Sequence, residues 1–186
     1  MAAWVWILIA LVVIAVVAAG IWAYMRQQRS RALRGRFGSE YDRAVNERGG
    51  KWKGESELAA RQKRRDDLEI RRLDPAARER HMADWKTTQG LFVDDPAGAV
   101  SQADRLVNVV MGERGYPMEN FEQRASDISV DHAEAVDDYR AAHAISLAND
   151  HGQASTEDLR QAMVHYRRLF EDLLEAPDSG TAAEVG

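Results

Sequence analysis

The chain has no cysteine among its 186 residues. That excludes disulfides, thiolate metal sites and cysteine nucleophiles, and it suits a reducing compartment. Proline occurs only four times, and each instance falls where a helix should begin, turn or end. Runs of alternating apolar and polar residues bounded by turns are missing as well, whereas helical spacing recurs. The expected fold class is therefore all-α: an N-terminal transmembrane helix followed by a small helical bundle. Motifs of named chemistry are lacking too. There is no G-x-S-x-G elbow, and Gly49-Gly50 before Lys51 lacks the spacing of a phosphate loop.

The chain does contain one long apolar run. Ala2 to Met25 is 24 residues without charge or proline, roughly 36 Å as a helix against a hydrocarbon core of about 30 Å. A signal peptide has a basic leader and an apolar core of about 7–15 residues. Here no Lys or Arg precedes the run, and Ile21, Trp22 and Tyr24 continue it past the small triplet Val17-Ala18-Ala19. Trp4 and Trp6 at one end, with Trp22 and Tyr24 at the other, suit the two interfacial belts. An uncleaved anchor is expected over residues 1–25. Arg26, Arg29, Arg31, Arg34 and Arg36 then crowd residues 26–36. They are the candidate membrane-surface residues, partners for anionic headgroups, and they favour an N-terminus outside and a C-terminal domain in the cytoplasm.

A net charge of −5 hides an asymmetry. Residues 26–80 carry 17 Lys and Arg against 10 Asp and Glu, whereas residues 81–186 carry 8 against 20. The basic part is expected to lie towards anionic lipid and the acidic part away from it. Overall acidity argues against nucleic acid as a partner.

Local signals divide the helical domain, expected over residues 37–175, into short elements. Gly35 and Gly38 should break the chain, and Ser39-Glu40-Tyr41-Asp42 has capping-box spacing. A charged helix is expected from Glu55 to Leu73, with Arg65 and Glu69 paired at a spacing of four. It reads as a solvated helix packed on one side, or else as an arm or half of a coiled-coil pairing with another copy. Asp74-Pro75 and Asp95-Pro96 each supply an N-cap and a first-turn proline. A short helix should span Met118 to Ala125, Ser129 or Asp131 should cap the next, and Ser155 or Thr156 the last. Residues 176–186 read as a disordered tail.

Four apolar stripes can form a bundle core. They are Leu159, Met163, Tyr166, Phe170 and Leu173; Val100, Ala103, Val107, Val110 and Met111; Val136, Tyr139, His143 and Leu147; and Met82, Trp85, Gln89 and Phe92. Of the five histidines, none follows a glutamate at the Glu-x-x-His spacing of di-metal carboxylate bundles. His132 and His143 stand eleven residues apart, roughly 16 Å along a helix, too far for one metal. His143 reads as a core histidine. No catalytic, cofactor or metal residue is assigned.

The stretches "LFVDDPAGAVSQADRLVNVVMGERGYP" and "TEDLRQAMVHYRRLFEDLLE" resemble segments of an uncharacterised bacterial family of proteins with one N-terminal membrane helix. The resemblance covers roughly residues 85–175 and implies no activity and no site residues. The expected role is a membrane-anchored interaction or scaffolding module with a protein partner or a second copy, more readily than an enzyme. The alternative is an enzyme or metal-binding bundle that uses His and carboxylate side chains on facing helices.

Overall fold

The computed structural model describes residues 3–175, so the expected tail at 176–186 lies outside the described residues. Among these there are eight helices and no strand, as the sequence pattern requires. They are α1 (Ala3–Phe37), α2 (Ser39–Glu47), α3 (Lys51–Asp66), α4 (Pro75–Leu91), α5 (Pro96–Arg114), α6 (Phe121–Ile128), α7 (Ala135–Asp150) and α8 (Thr156–Glu175).

The stop and start signals with local partners behave as expected. Asp74 and Asp95 accept hydrogen bonds from Ala77 N and Gly98 N, each at 2.8 Å. Ser155 and Asp158 cap α8 reciprocally: Ser155 N donates to Asp158 Oδ2 at 2.9 Å and Asp158 N to Ser155 Oγ at 3.2 Å. Gly115, at φ 97°, ends α5 in the left-handed conformation that glycine adopts without a Cβ penalty.

Where side chains serve distant partners, the boundaries move. Ser39 Oγ donates to Asp137 and Asp42 accepts from Arg34, so no box caps α2 and Gly38 (φ 49°) precedes it. Helix α3 starts at Lys51 and stops at Asp66, well short of Leu73. Beyond it Ile70 and Leu73 pack on the main core, and Arg71 N donates to Arg114 O at 2.9 Å. Helix α6 opens at Asn120, whose side chain accepts from Gln123 N at 2.9 Å. Asp131 is engaged by Arg65 and Tyr116, and Ser129 Oγ donates to Ser126 O, so neither caps α7.

Two cores result. The larger is built by α4, α5, α7 and α8 around Tyr139, Tyr166, Phe170, Val107 and Met111. Trp85 stacks on Phe170 at 4.8 Å between centroids. Tyr166 is fully buried, and its hydroxyl donates to Asp104 at 2.7 Å. The stripes of α5 and α8 are buried nearly as read, but that of α4 is rotated. Its buried face is Ala77, His81, Trp85 and Thr88, leaving Met82 and Gln89 exposed. Its polar members are partly accommodated: His81 Nε2 lies 2.9 Å from Glu113 and Thr88 Oγ1 donates to Asp84 O at 2.9 Å, while His81 Nδ1 and Trp85 Nε1 are buried without a hydrogen-bond partner. In α7 Leu147 is exposed, and half-buried His143 stacks on Phe121 at 3.7 Å.

The smaller core joins Leu33, Phe37, Tyr41, Ala44, Leu58 and Val130. Helix α1 therefore runs through Gly35 without a break and delivers Leu33 and Phe37 directly into the folded domain. Burial of each is worth about 1.5–3 kcal/mol. Helices α2 and α3 close on each other at Gly54, where a Cβ would lie 2.7 Å from Val45 Cα. Alanine at 54 would gain about 1 kcal/mol of helix propensity, but the backbone it meets cannot step aside. Gly54→Ala should therefore lower the thermal midpoint of the protein. A raised midpoint in a calorimetric scan would contradict this packing.

Candidate functional site at the junction of the apolar helix and the bundle

Helix α1 carries one stretch long and apolar enough to cross a membrane, Leu11–Phe37, with its most apolar window wholly unburied by the rest of the protein. At the C-terminal end of that stretch the basic and acidic parts of the chain meet. Arg65 Nε donates to Asp131 Oδ2, Tyr116 OH donates to the same oxygen at 3.0 Å, and Arg36 Nη2 stands 3.9 Å from Oδ1. Glu40, 1% exposed, accepts from Arg61 Nη1 at 3.0 Å and from Arg140 Nε and Nη2 at 3.2 and 3.3 Å. Arg64 Nε lies 3.5 Å from Asp127, itself bonded by Gln123 Nε2 at 2.8 Å. These contacts tie α1, α2 and α3 to α6, α7 and the 129–134 turn.

Burial dominates the electrostatics of this seam. It pushes the Tyr116 phenol upward, with the Asp131 charge reinforcing it. It also raises the Asp127 carboxyl, against the Gln123 hydrogen bond and the Arg64 charge. Tyr41 is pushed up to about 12 by burial and by donating to Glu55 Oε1 at 2.8 Å.

The five arginines read as membrane-surface residues are not one group. Arg26 lies over the Trp22 ring at 5.3 Å, and Arg29 and Arg31 are exposed. Arg34 turns to Asp42 at 2.8 Å and over Tyr41, and Arg36 turns to Asp131 and to Val130 O. Arg65, expected to pair with Glu69, goes to Asp131 instead, since α3 ends before Glu69. Sequence reasoning missed Glu40, Arg61, Arg64, Asp131 and Arg140 as a set, and Trp52 altogether. Trp52 borders a cleft of about 480 Å³ between α1 and α3, with Trp22, Met25, Arg26 and Arg29.

Three histidines pair singly with carboxylates: His81 with Glu113, His132 with Asp172 at 2.6 Å, and His165 with Asp138 at 2.5 Å. Among the described residues no three His, Asp or Glu side chains gather as a metal site. Comparison with protein-family models, curated proteins and solved structures gives no match for this chain.

Asp127 provides a pH test. Its folded-state carboxyl is raised above its unfolded value. The folded state therefore holds the proton more tightly, and from this group stability falls as pH rises through the folded pKa. Asp127→Asn should remove that dependence and leave the protein as stable or more stable at pH 7. Urea unfolding at several pH values above 4 checks it; a large loss of stability at neutral pH would contradict the assignment.

Proposed function

We propose that this is a single-pass protein of the cell inner membrane, its N-terminus outside and its helical domain in the cytoplasm. There it serves as an interaction or scaffolding module for a protein partner or a second copy. The observation that carries this reading is the joint between anchor and domain. Helix α1 passes from its apolar run into the fold without a linker, with Phe37 at 0% exposure in the smaller core. A domain joined in this way has a fixed height and attitude, which a module meeting partners at a membrane surface needs. The scattered histidine–carboxylate pairs favour this reading over a metal-dependent enzyme. It is also the reading that suits the bacterial single-membrane-helix family the sequence resembles.

Orientation rests on Arg26, Arg29, Arg31, Arg34 and Arg36. Their later ion pairs do not weaken the argument, because the positive-inside bias acts on the chain as it inserts, before Asp131 is folded against Arg36. Anionic headgroups are the lipid partner proposed for Arg26, Arg29 and Arg31, whose side chains stay exposed.

The full chain should remain in the membrane pellet after alkaline carbonate extraction, and a reporter fused after Gly186 should behave as cytoplasmic. Release into the supernatant would overturn the anchor, and a periplasmic reporter signal would overturn the orientation.

A further inference from the structure

Helices α1 and α3 run parallel. Trp22, Met25, Arg26 and Arg29 share one cleft with Trp52, Glu55 and Ser56, and Arg29, Ala32, Leu33 and Arg36 share the next with Ala59, Gln62, Lys63 and Asp66. The first cleft sets Trp52 against the stretch of α1 from Trp22 to Arg29, and the uncharged run ends at Met25, inside that stretch. At 1.5 Å per residue, Trp52 therefore stands within about 5 Å of the level at which α1 leaves the apolar layer. That is within the interfacial zone of roughly 5–8 Å on each side of a bilayer.

Trp52 is 71% exposed, the most exposed of the tryptophans outside α1. An indole left largely in water costs solvation unless another surface receives it, and tryptophan is the residue that settles at headgroup depth. Lys51 and Lys53 flank it and are exposed, and Arg26 and Arg29 stand across the cleft. Of the nearby acids, Glu55 faces Tyr41 and Lys51, Glu57 faces Arg48 and Arg61, and Glu47 faces Arg43, so Lys51 is partly offset and Lys53, Arg26 and Arg29 carry the positive excess. The tip is thus a basic, aromatic surface. A second copy meeting it tip to tip would bring the same positive charge against it, whereas anionic lipid complements it.

We infer that Lys51-Trp52-Lys53 is a second membrane contact, with the Trp52 indole in the bilayer interface and both lysines against anionic headgroups. The inference rests on α1 spanning the bilayer. It makes α3 a strut, which stops the domain from swinging about the single anchor.

The absence of cysteine makes the test direct, since any introduced cysteine is unique. Trp22→Cys, Trp52→Cys and Asp67→Cys variants of the full chain, each carrying a bimane label, are reconstituted into vesicles of mixed neutral and anionic lipid. Quenching by lipids with a nitroxide near the headgroup is then measured. Position 67 caps the far end of α3, roughly 22 Å from position 52, and serves as the distant reference. Quenching at 52 should exceed that at 67 several-fold and approach that at 22. Adding Lys51→Gln and Lys53→Gln should reduce it. Strong quenching at 22 with equal, weak quenching at 52 and 67 overturns the second contact while leaving the anchor intact. Weak quenching at 22 overturns the anchor itself. Protection of the label at 52 that appears in detergent and grows with protein concentration also overturns the inference, because it marks a second copy at the tip.

Discussion

Asp131 is the group on which the arrangement of this protein turns. It lies in the short turn between α6 and α7, yet its carboxylate receives Arg65 from α3, Tyr116 from the segment after α5, and Arg36 from the end of α1. A carboxylate withdrawn from water costs several kcal/mol unless cations and donors surround it. The folded state that satisfies Asp131 is also the one that places α1, the packed pair of α2 and α3, and the bundle in a single register. Glu40 performs the reciprocal service, carrying negative charge from the hairpin to Arg140 of α7. The apolar contacts of the smaller core add stability, but they involve few residues; the ionic contacts are what specify which surfaces meet.

This gives the charge asymmetry of the chain a second use. An excess of base in residues 26–80 and of acid in residues 81–186 reads most simply as attraction to lipid on one side and water on the other. Part of it is in fact consumed inside the molecule, through Arg36 and Arg65 on Asp131 and Arg64 on Asp127. What remains exposed near the end of the apolar run is smaller and more sharply placed: Arg26, Arg29, Arg31, Lys51 and Lys53. A domain held this way is joined to α1 in one fixed attitude, which is the physical basis for the proposal that it is a module that positions partners.

Much of the fold was legible because its signals are local. Asp74-Pro75, Asp95-Pro96 and Gly115 act within a few residues of themselves, and the stripes of α5 and α8 bury the residues their spacing selects. The seam was illegible for the opposite reason. Arg65 and Asp131 are 66 residues apart and Glu40 and Arg140 are 100 apart, and in a chain with 25 basic and 30 acidic residues nothing local selects those partners. The same competition moved the caps, because Ser39 and Asp131 were taken by distant groups. The face of α4 was misread since buried His81 and Thr88 find polar partners that hydropathy alone does not reveal. Trp52 had a signal, an aromatic between two lysines after Gly49-Gly50, but its meaning depends on the parallel register of α1 and α3.

Attachment of α1, α2 and α3 to the bundle through the largely buried Arg65–Asp131 pair can be measured by a double-mutant cycle. Arg65→Gln, Asp131→Asn and the double variant of the full chain are unfolded chemically in mild detergent. Removal of one partner of a buried pair costs about 3–5 kcal/mol, because the other is left uncompensated. Each single variant should therefore lose stability on that scale, and the double variant should be no worse than the more damaged single. Losses that simply add, or single variants as stable as the parent protein, would contradict the account.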